Sequence, residues 1–341
     1  MQLLNTLYVN TPDTYLRLEN DTICVEVQRE LKLRVPLHHL CAVVCIGLVG
    51  VSLPLMCGLA ERSISLVMLD ANGRFKARLE GPVSGNVLLR QAQHRCADDV
   101  GYTLEAARSF VAGKVKNCRQ ILMRGARDTK AEADAALLTR LADNLAATVR
   151  GLPQAQDLDT LRGLEGEAAR QHFMGINLLI KPSLRAAFQM DGRSRRPPRD
   201  RVNALLSFLY AMWMNDCRSA IESVGLDPQI GFLHAVRPGK AALALDLMEE
   251  FRPWADRLAL TLINREQLDA DDFEDREGAW SLSSDARKSV VTAYQERKKE
   301  ELTHPLLKQP LALGLVPLVQ ARLLARSMRE AGTPYTPFVP K

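Results

Sequence analysis

Aromatic residues are scarce in this chain of 341 residues, since phenylalanine, tyrosine and tryptophan together make up 5% of it. Proteins that hold single-stranded nucleic acid by stacking its bases need a series of aromatic side chains. Base stacking is therefore not expected to be the main grip on a nucleic acid. A large excess of one charge is also missing, because the net charge of +5 permits a polyanionic partner without requiring one.

Cysteine pairs with zinc-binding spacing and a secretion signal are missing as well. The seven cysteines include no CxxC pair, and the first residues lack a basic segment followed by an apolar core. We expect a cytoplasmic protein in which Cys41 and Cys45 are small buried apolar residues. The apolar stretch from Cys41 to Ala60 is interrupted by glycines, Ser52 and Pro54, so it predicts a strand, a turn and a helix rather than a membrane span.

The residue pattern differs between the first part of the chain and the rest, and the length of the chain favours two domains. Residues 1–83 contain short runs rich in β-branched residues, separated by turn-forming residues, which predict a β-rich domain suited to dimerisation or partner contacts. The predicted strands cover Leu7–Val9, Tyr15–Glu19, Thr22–Gln28, Lys32–Pro36, Ala42–Ile46, Ile64–Leu69 and Arg74–Leu79, and a helix capped by Ser52 lies among them.

Residues 84–341 have apolar residues at helical spacing, so the fold class is predicted as α+β with a larger, mainly α-helical second domain. Helices are predicted over Val87–Ala97, Thr103–Arg124 and Lys130–Arg150. A loop from Lys181 to Asp200 precedes a buried apolar helix, and Gly332–Lys341 is expected to be an extended and disordered tail. The loop carries the densest basic cluster of the chain, Arg193, Arg195, Arg196, Arg199 and Arg201.

Two segments contain residues that could act in catalysis or bind a metal ion. In LRGLEGEAARQHF, Glu165 lies between two glycines, so a bulky ligand can approach its carboxylate closely. In IGFLHAVRPGKAALALDLMEEFRP, His234 follows an apolar, strand-like stretch, and Asp246 and Glu249 lie three residues apart on one helical face. Imidazole and carboxylates suit Mg²⁺ or Mn²⁺. The spacing alone favours a structural interpretation, in which His234 is a core residue with its hydrogen bonds satisfied and Glu249 lies on the surface.

These two segments resemble those of the CRISPR-associated integrases, protein one of the adaptation machinery that captures spacers. The resemblance extends to ISLVMLDANGRF, to NALLSFLYAMWM and to LTHP at Leu302–Pro305, and it is greatest for the type I form, subtype C. It implies that Glu165, His234 and an acidic residue bind one Mg²⁺ or Mn²⁺ ion. The third ligand is Glu249 by register, or Asp246, and His172 stands where tyrosine is usual.

The resemblance also implies a reaction and partners. A 3′-hydroxyl of incoming double-stranded DNA, the spacer precursor, would attack the repeat backbone, and the protein would be a homodimer that binds a small endonuclease, protein two of the same machinery. The arginine-rich loop and further basic residues would contact DNA phosphates. These further residues are Lys114, Lys116, Arg119, Arg124, Arg237 and Arg252.

Two other functions are compatible with the same residues. One is a DNA-binding scaffold without chemistry, which would bind DNA equally well after loss of Glu165. The other is a general metal-dependent phosphohydrolase, which would hydrolyse simple phosphate esters and whose activity would depend little on salt.

Overall fold

The computed structural model describes residues 6–40, 42–71, 73, 75–79, 81, 87–330 and 332–340. Cys41, Arg74 and the predicted domain boundary at residue 83 lie outside the described residues. The mixed α+β fold is confirmed, with a strand-rich N-terminal region followed by a mainly helical one. Within the described ranges, no helix has both the length and the apolar character that a bilayer span requires.

Two sheets and one helix form the N-terminal region. Its elements are β1 (Thr6–Val9), β2 (Thr14–Glu19), β3 (Thr22–Val27), β4 (Glu30–Pro36), β5 (Ala42–Ile46), β6 (Val49–Val51), α1 (Leu53–Glu61), β7 (Ser65–Leu69) and β8 (Phe75–Leu79). One sheet has the order β1-β5-β7-β8 and the other β4-β3-β2-β6. The Ser52 hydroxyl accepts a hydrogen bond from the Leu55 amide and so caps α1, as predicted.

Strand β5 separates two apolar cores, because alternate residues of a strand face opposite sides of its sheet. Val43 and Cys45 belong to a core shared with β2, β3 and α1. Val44 and Ile46 belong to the larger core, which continues through the helical region. The β1-β5-β7-β8 sheet is therefore packed on both faces.

Helices make up most of the remainder, and two short hairpins lie among them. The helices are α2 (Val87–Asp98), α3 (Val100–Asp128), α4 (Glu132–Gly151), α5 (Leu158–Leu179), α6 (Arg201–Val224), α7 (Ala242–Met248), α8 (Arg252–Asn264), α9 (Ser284–Lys299) and α10 (Val316–Arg329). The hairpins are β9 (Phe273–Arg276) with β10 (Ala279–Leu282), and β11 (Glu301–Thr303) with β12 (Pro310–Ala312). Helix α6 is buried along most of its length, as predicted, and of the two expected starts, Asp200 and Asn203, Asp200 is its N-cap.

The C-terminal tail is extended, but the prediction that it is disordered was wrong. Phe338 is fully buried, and its ring stacks with those of Phe251 and Trp254. Its backbone N–H donates to the buried Glu250 carboxylate at 2.7 Å. The tail is thus held by its own chain, because an aromatic anchor and a buried acceptor offset the entropy of ordering it.

The Phe338→Ala variant should be destabilised by about 3–5 kcal/mol, because removal of a fully buried aromatic ring leaves a cavity in the core. The free energy of unfolding measured in urea checks this value. Pro340→Ala is a suitable control, since it changes the same tail but leaves the ring stack intact. A Phe338→Ala variant as stable as the control would mean that the tail is not docked in solution.

Candidate active site

Glu165 lies on helix α5, and its side chain is partly buried, with 24% of it exposed. Asp157 caps the helix by accepting from the Thr160 amide at 2.7 Å, and the buried Leu161 and Ala168 lie on the same helical face as Glu165, four residues before it and three after it. A Cβ at either neighbouring glycine, Gly163 or Gly166, would meet no atom within 4 Å. The surface beside the Glu165 carboxylate is therefore open to a ligand, as the glycines predicted.

His234 is held by the loop between α6 and α7, and the prediction of a strand-like segment before it was wrong. Residues 226–241 form no strand, because the amides of Phe232, Leu233 and His234 all donate to the Asp246 carboxylate, at 2.6 to 3.0 Å. A Cβ at Gly231 would meet Asp246 Oδ2 at 2.7 Å, so only glycine lets the loop approach this carboxylate.

Asp246 also orients the His234 ring. Its Oδ1 lies 2.7 Å from His234 Nδ1, and its side chain is completely buried. The other ring nitrogen, Nε2, points towards Glu249, whose Oε1 is 3.9 Å away. A carboxylate bonded to Nδ1 fixes the ring orientation and leaves Nε2 as the atom that can meet a ligand.

Glu249 lies in the turn between α7 and α8 and is surrounded by cations. Arg252 Nε is 2.7 Å from Glu249 Oε1, and Lys114 Nζ is 2.6 Å from Glu249 Oε2. The same ammonium of Lys114 also contacts Glu165 Oε1. Lys114 therefore joins the carboxylate of α5 to that of the α7–α8 turn.

The groups around Lys114 are charged despite their burial. Burial alone would raise the pKa of Glu249, but Arg252 and Lys114 hold it well below its usual range. Burial alone would lower the pKa of Lys114, but Glu249 and Glu165 hold it above its usual value. The site is thus a cluster of ionised groups.

These residues line one cavity of about 610 Å³ together with part of the arginine-rich loop. Arg193 and Arg195 contribute to its wall, and the Tyr210 ring lies under the guanidinium groups of Arg193 and Arg252, at 5.2 and 4.8 Å. The Tyr210 hydroxyl donates to Asp256 at 2.5 Å. The candidate metal ligands Glu165, His234 and Glu249 and the arginine-rich loop, which are distant in sequence, therefore line the same cavity.

The basic residues predicted to contact DNA differ in their exposure and in their contacts. Arg193 is bound to Asn203 and Ser207, Arg201 stacks on Trp280, and Arg252 pairs with Glu249, so these three act inside the fold. Six others are exposed, namely Lys116, Arg124, Arg195, Arg196, Arg199 and Arg237.

No group of three or more His, Cys, Asp or Glu side chains in the described part of the chain is arranged to hold a metal ion. At the candidate site, the ammonium of Lys114 lies between Glu165 and Glu249, where a cation is expected. The donor set nevertheless fits Mg²⁺ or Mn²⁺, since two carboxylates and an imidazole face one cavity. Glu249 Oε2 also accepts no well-directed hydrogen bond, although the ammonium is close.

Residues 7–296 match the family model for the CRISPR associated protein Cas1. The chain belongs to the Cas1 family. It is 52% identical over 339 residues to a CRISPR-associated endonuclease Cas1 of Moorella thermoacetica, covering 99% of this chain and 98% of that protein. The predicted resemblance is therefore confirmed at the level of the family, and the chain is a member of a family of endonucleases.

Solved Cas1 structures have the same fold. A CAS1 protein from Thermotoga maritima superposes with a TM-score of 0.83 at 21% identity, over 99% of this chain and 100% of that one. A chain of a Cas6-RT-Cas1--Cas2 complex superposes with a TM-score of 0.84 at 25% identity, over 99% of this Cas1 chain. This chain spans only 36% of the length of that larger one.

Two residues beside the site were not predicted from the sequence to lie there. Lys114 was expected at a DNA phosphate, and Tyr210 was interpreted only as part of an apolar helix. Both are joined to the site by contacts of long sequence separation, 51 residues for Lys114 with Glu165 and 46 for Tyr210 with Asp256. For Tyr210, the only signal in the sequence was its hydroxyl within the largely apolar segment NALLSFLYAMWM.

Proposed function

We propose that this Cas1 protein is a metal-dependent DNA endonuclease and integrase that inserts DNA fragments as spacers into a CRISPR array by phosphodiester transesterification. The observation that carries the proposal is the convergence of Glu165, His234 and Glu249 in a cavity walled by arginines. Membership in the Cas1 family supports the assignment. Assignment to subtype C of the type I systems stays a prediction that rests on the sequence segments alone.

Glu165, Glu249 and Nε2 of His234 would hold one Mg²⁺ or Mn²⁺ ion. When bound, such an ion neutralises the negative charge that builds on the nonbridging oxygens of the phosphate. We assign Glu249 rather than Asp246 as the third ligand, because both oxygens of Asp246 already accept hydrogen bonds from the loop. Asp246 instead keeps the His234 ring in position, and Arg252 keeps Glu249 ionised.

Partners follow from the same proposal. Double-stranded DNA would run across the exposed arginines Arg195, Arg196, Arg199 and Arg237, with Arg193 and Arg252 at the cavity. The similarity to a chain of the Cas6-RT-Cas1--Cas2 complex supports a homologous small partner, Cas2. A homodimer is proposed as well, with the strand-rich N-terminal region as its contact surface.

DNA affinity should fall steeply with salt, because binding to phosphates releases condensed counterions. The Arg195→Ala/Arg196→Ala double variant should lower the slope of log affinity against log salt by about 2, roughly one for each phosphate that is no longer bound. Fluorescence anisotropy at four salt concentrations measures the slope. Arg276→Ala, which removes an exposed arginine paired with Glu274, is the control and should leave the slope unchanged.

The function is tested with purified protein, Mn²⁺, and branched and linear DNA. Wild type should cleave and join strands, and Glu165→Ala and His234→Ala should not. Full activity in both variants would make the proposed site wrong. Unchanged DNA binding without metal-dependent strand transfer in wild type would point to a scaffold, and turnover of simple phosphate esters to a general phosphohydrolase.

A further inference from the structure

Lys114 occupies an unusual place for a lysine. It lies in the middle of helix α3, its side chain is only 11% exposed, and its ammonium contacts carboxylates from two other elements. Glu249 Oε1 is already paired with Arg252 at 2.7 Å. The carboxylates of Glu165 and Glu249 are therefore balanced by two internal cations before any metal ion enters.

The charges of this cluster are no longer balanced once a divalent ion is bound. A dication between the two carboxylates would add two positive charges to a cluster that already contains Lys114 and Arg252, and like charges at this distance repel strongly in a buried site. Arg252 is fixed by its stacking on Tyr210. Lys114 has a flexible four-carbon stem and lines the open cavity of about 610 Å³, so it is the cation that can move.

We propose that Lys114 is a displaceable internal cation: it holds Glu165 and Glu249 together in the metal-free site, a divalent ion displaces its ammonium, and the freed ammonium binds a phosphate of DNA in the same cavity. This inference rests on the proposed function. Lys114 acts through the two carboxylates and is a positioning residue for them.

The binding of the metal ion and the binding of DNA should therefore be thermodynamically linked. Metal binding frees one cation for DNA, and a DNA phosphate that attracts the ammonium opens the two carboxylates to the metal. Because coupling free energies are reciprocal, DNA should raise the metal affinity by the same factor as metal raises the DNA affinity. Removal of Lys114 should abolish this part of the coupling.

The test is a titration of DNA-free protein with Mn²⁺, followed by the electron paramagnetic resonance signal of free Mn²⁺. Lys114→Met should bind Mn²⁺ at least about tenfold more tightly than wild type, which corresponds to about 1.4 kcal/mol. Lys114→Arg keeps a cation between the carboxylates and should stay near the wild-type affinity. Lys130→Met removes an exposed lysine that follows α3 and was not predicted to contact DNA, and it is the control.

A second measurement compares DNA affinity with and without Mn²⁺. The increase caused by Mn²⁺ should be smaller in Lys114→Met than in wild type and unchanged in Lys130→Met. If Lys114→Met does not fold, as judged by its thermal melting curve, Lys114→Gln takes its place in both measurements.

Equal or weaker Mn²⁺ binding in the folded Lys114 variant would overturn the inference and leave Lys114 as a structural ion pair only. Glu165→Gln in the same titration separates this failure from failure of the proposed function. If Glu165→Gln binds Mn²⁺ as wild type does, the metal site itself is wrong. If Glu165→Gln loses Mn²⁺ binding while Lys114→Met gains nothing, the metal site stands and only the displaceable cation is refuted.

Discussion

Asp246→Ala is expected to lower the free energy of unfolding by at least about 3 kcal/mol and to weaken metal binding about 10- to 100-fold. Asp246 is fully buried, and it accepts from three consecutive loop amides and from His234 Nδ1. Each buried donor left without a partner costs about 1–3 kcal/mol. Loss of the carboxylate that orients a ligating histidine typically costs 10- to 100-fold in metal affinity.

Unfolding in urea gives the stability, and the Mn²⁺ titration is performed at a temperature where the variant is fully folded. Asp159→Ala is the control, because Asp159 lies on α5 with a side chain that is 92% exposed. The expected pattern is a large loss in both measurements for Asp246→Ala and little change for the control. A folded Asp246→Ala protein with wild-type stability and Mn²⁺ affinity would contradict the role assigned to Asp246.

Glu165→Gln is expected to reduce metal-dependent DNA cleavage and integration by about 10³-fold or more, because it removes one anionic ligand of the proposed ion. The substitution keeps the size of the partly buried side chain, and the neighbouring Gly163 and Gly166 leave open space beside it. The fold should therefore survive, so the loss should lie in chemistry rather than in stability.

Initial rates at several Mn²⁺ concentrations measure this effect. Glu167→Gln is a matched control two residues along the same helix, where Glu167 pairs with Arg170 at 2.7 Å. The control should retain nearly full activity. Similar losses in both variants would indicate a general effect on helix α5, and a Glu165→Gln enzyme with more than about a tenth of the wild-type rate would speak against metal ligation.

Local sequence patterns predicted most strands of the N-terminal region, the long helices and the N-cap Ser52, since these depend on neighbours in the chain. Strand β6 escaped because its three residues, with a central glycine, are too few to give a pattern. The disordered tail was a wrong prediction for a different reason. Prolines indicate an extended backbone, but nothing near Phe338 in sequence indicates that it contacts Glu250 and Phe251 in the folded protein.

Helical spacing could not distinguish the roles of the two acidic residues near His234. Asp246 and Glu249 share one face of a helix in sequence, so spacing could not rank them as ligands. Their difference arises from a loop that precedes the helix and supplies amides to Asp246 alone. Lys114 was equally out of reach, because a basic residue on a helix gives no sign that two distant carboxylates will surround it.

A crystal grown with Mn²⁺ and measured for manganese anomalous scattering tests the metal site most directly. We expect one ion at about 2.0–2.2 Å from Glu165, from Nε2 of His234 and from Glu249, with the Lys114 ammonium moved away from both carboxylates. An ion bound elsewhere, with these three side chains left without metal, would contradict the account.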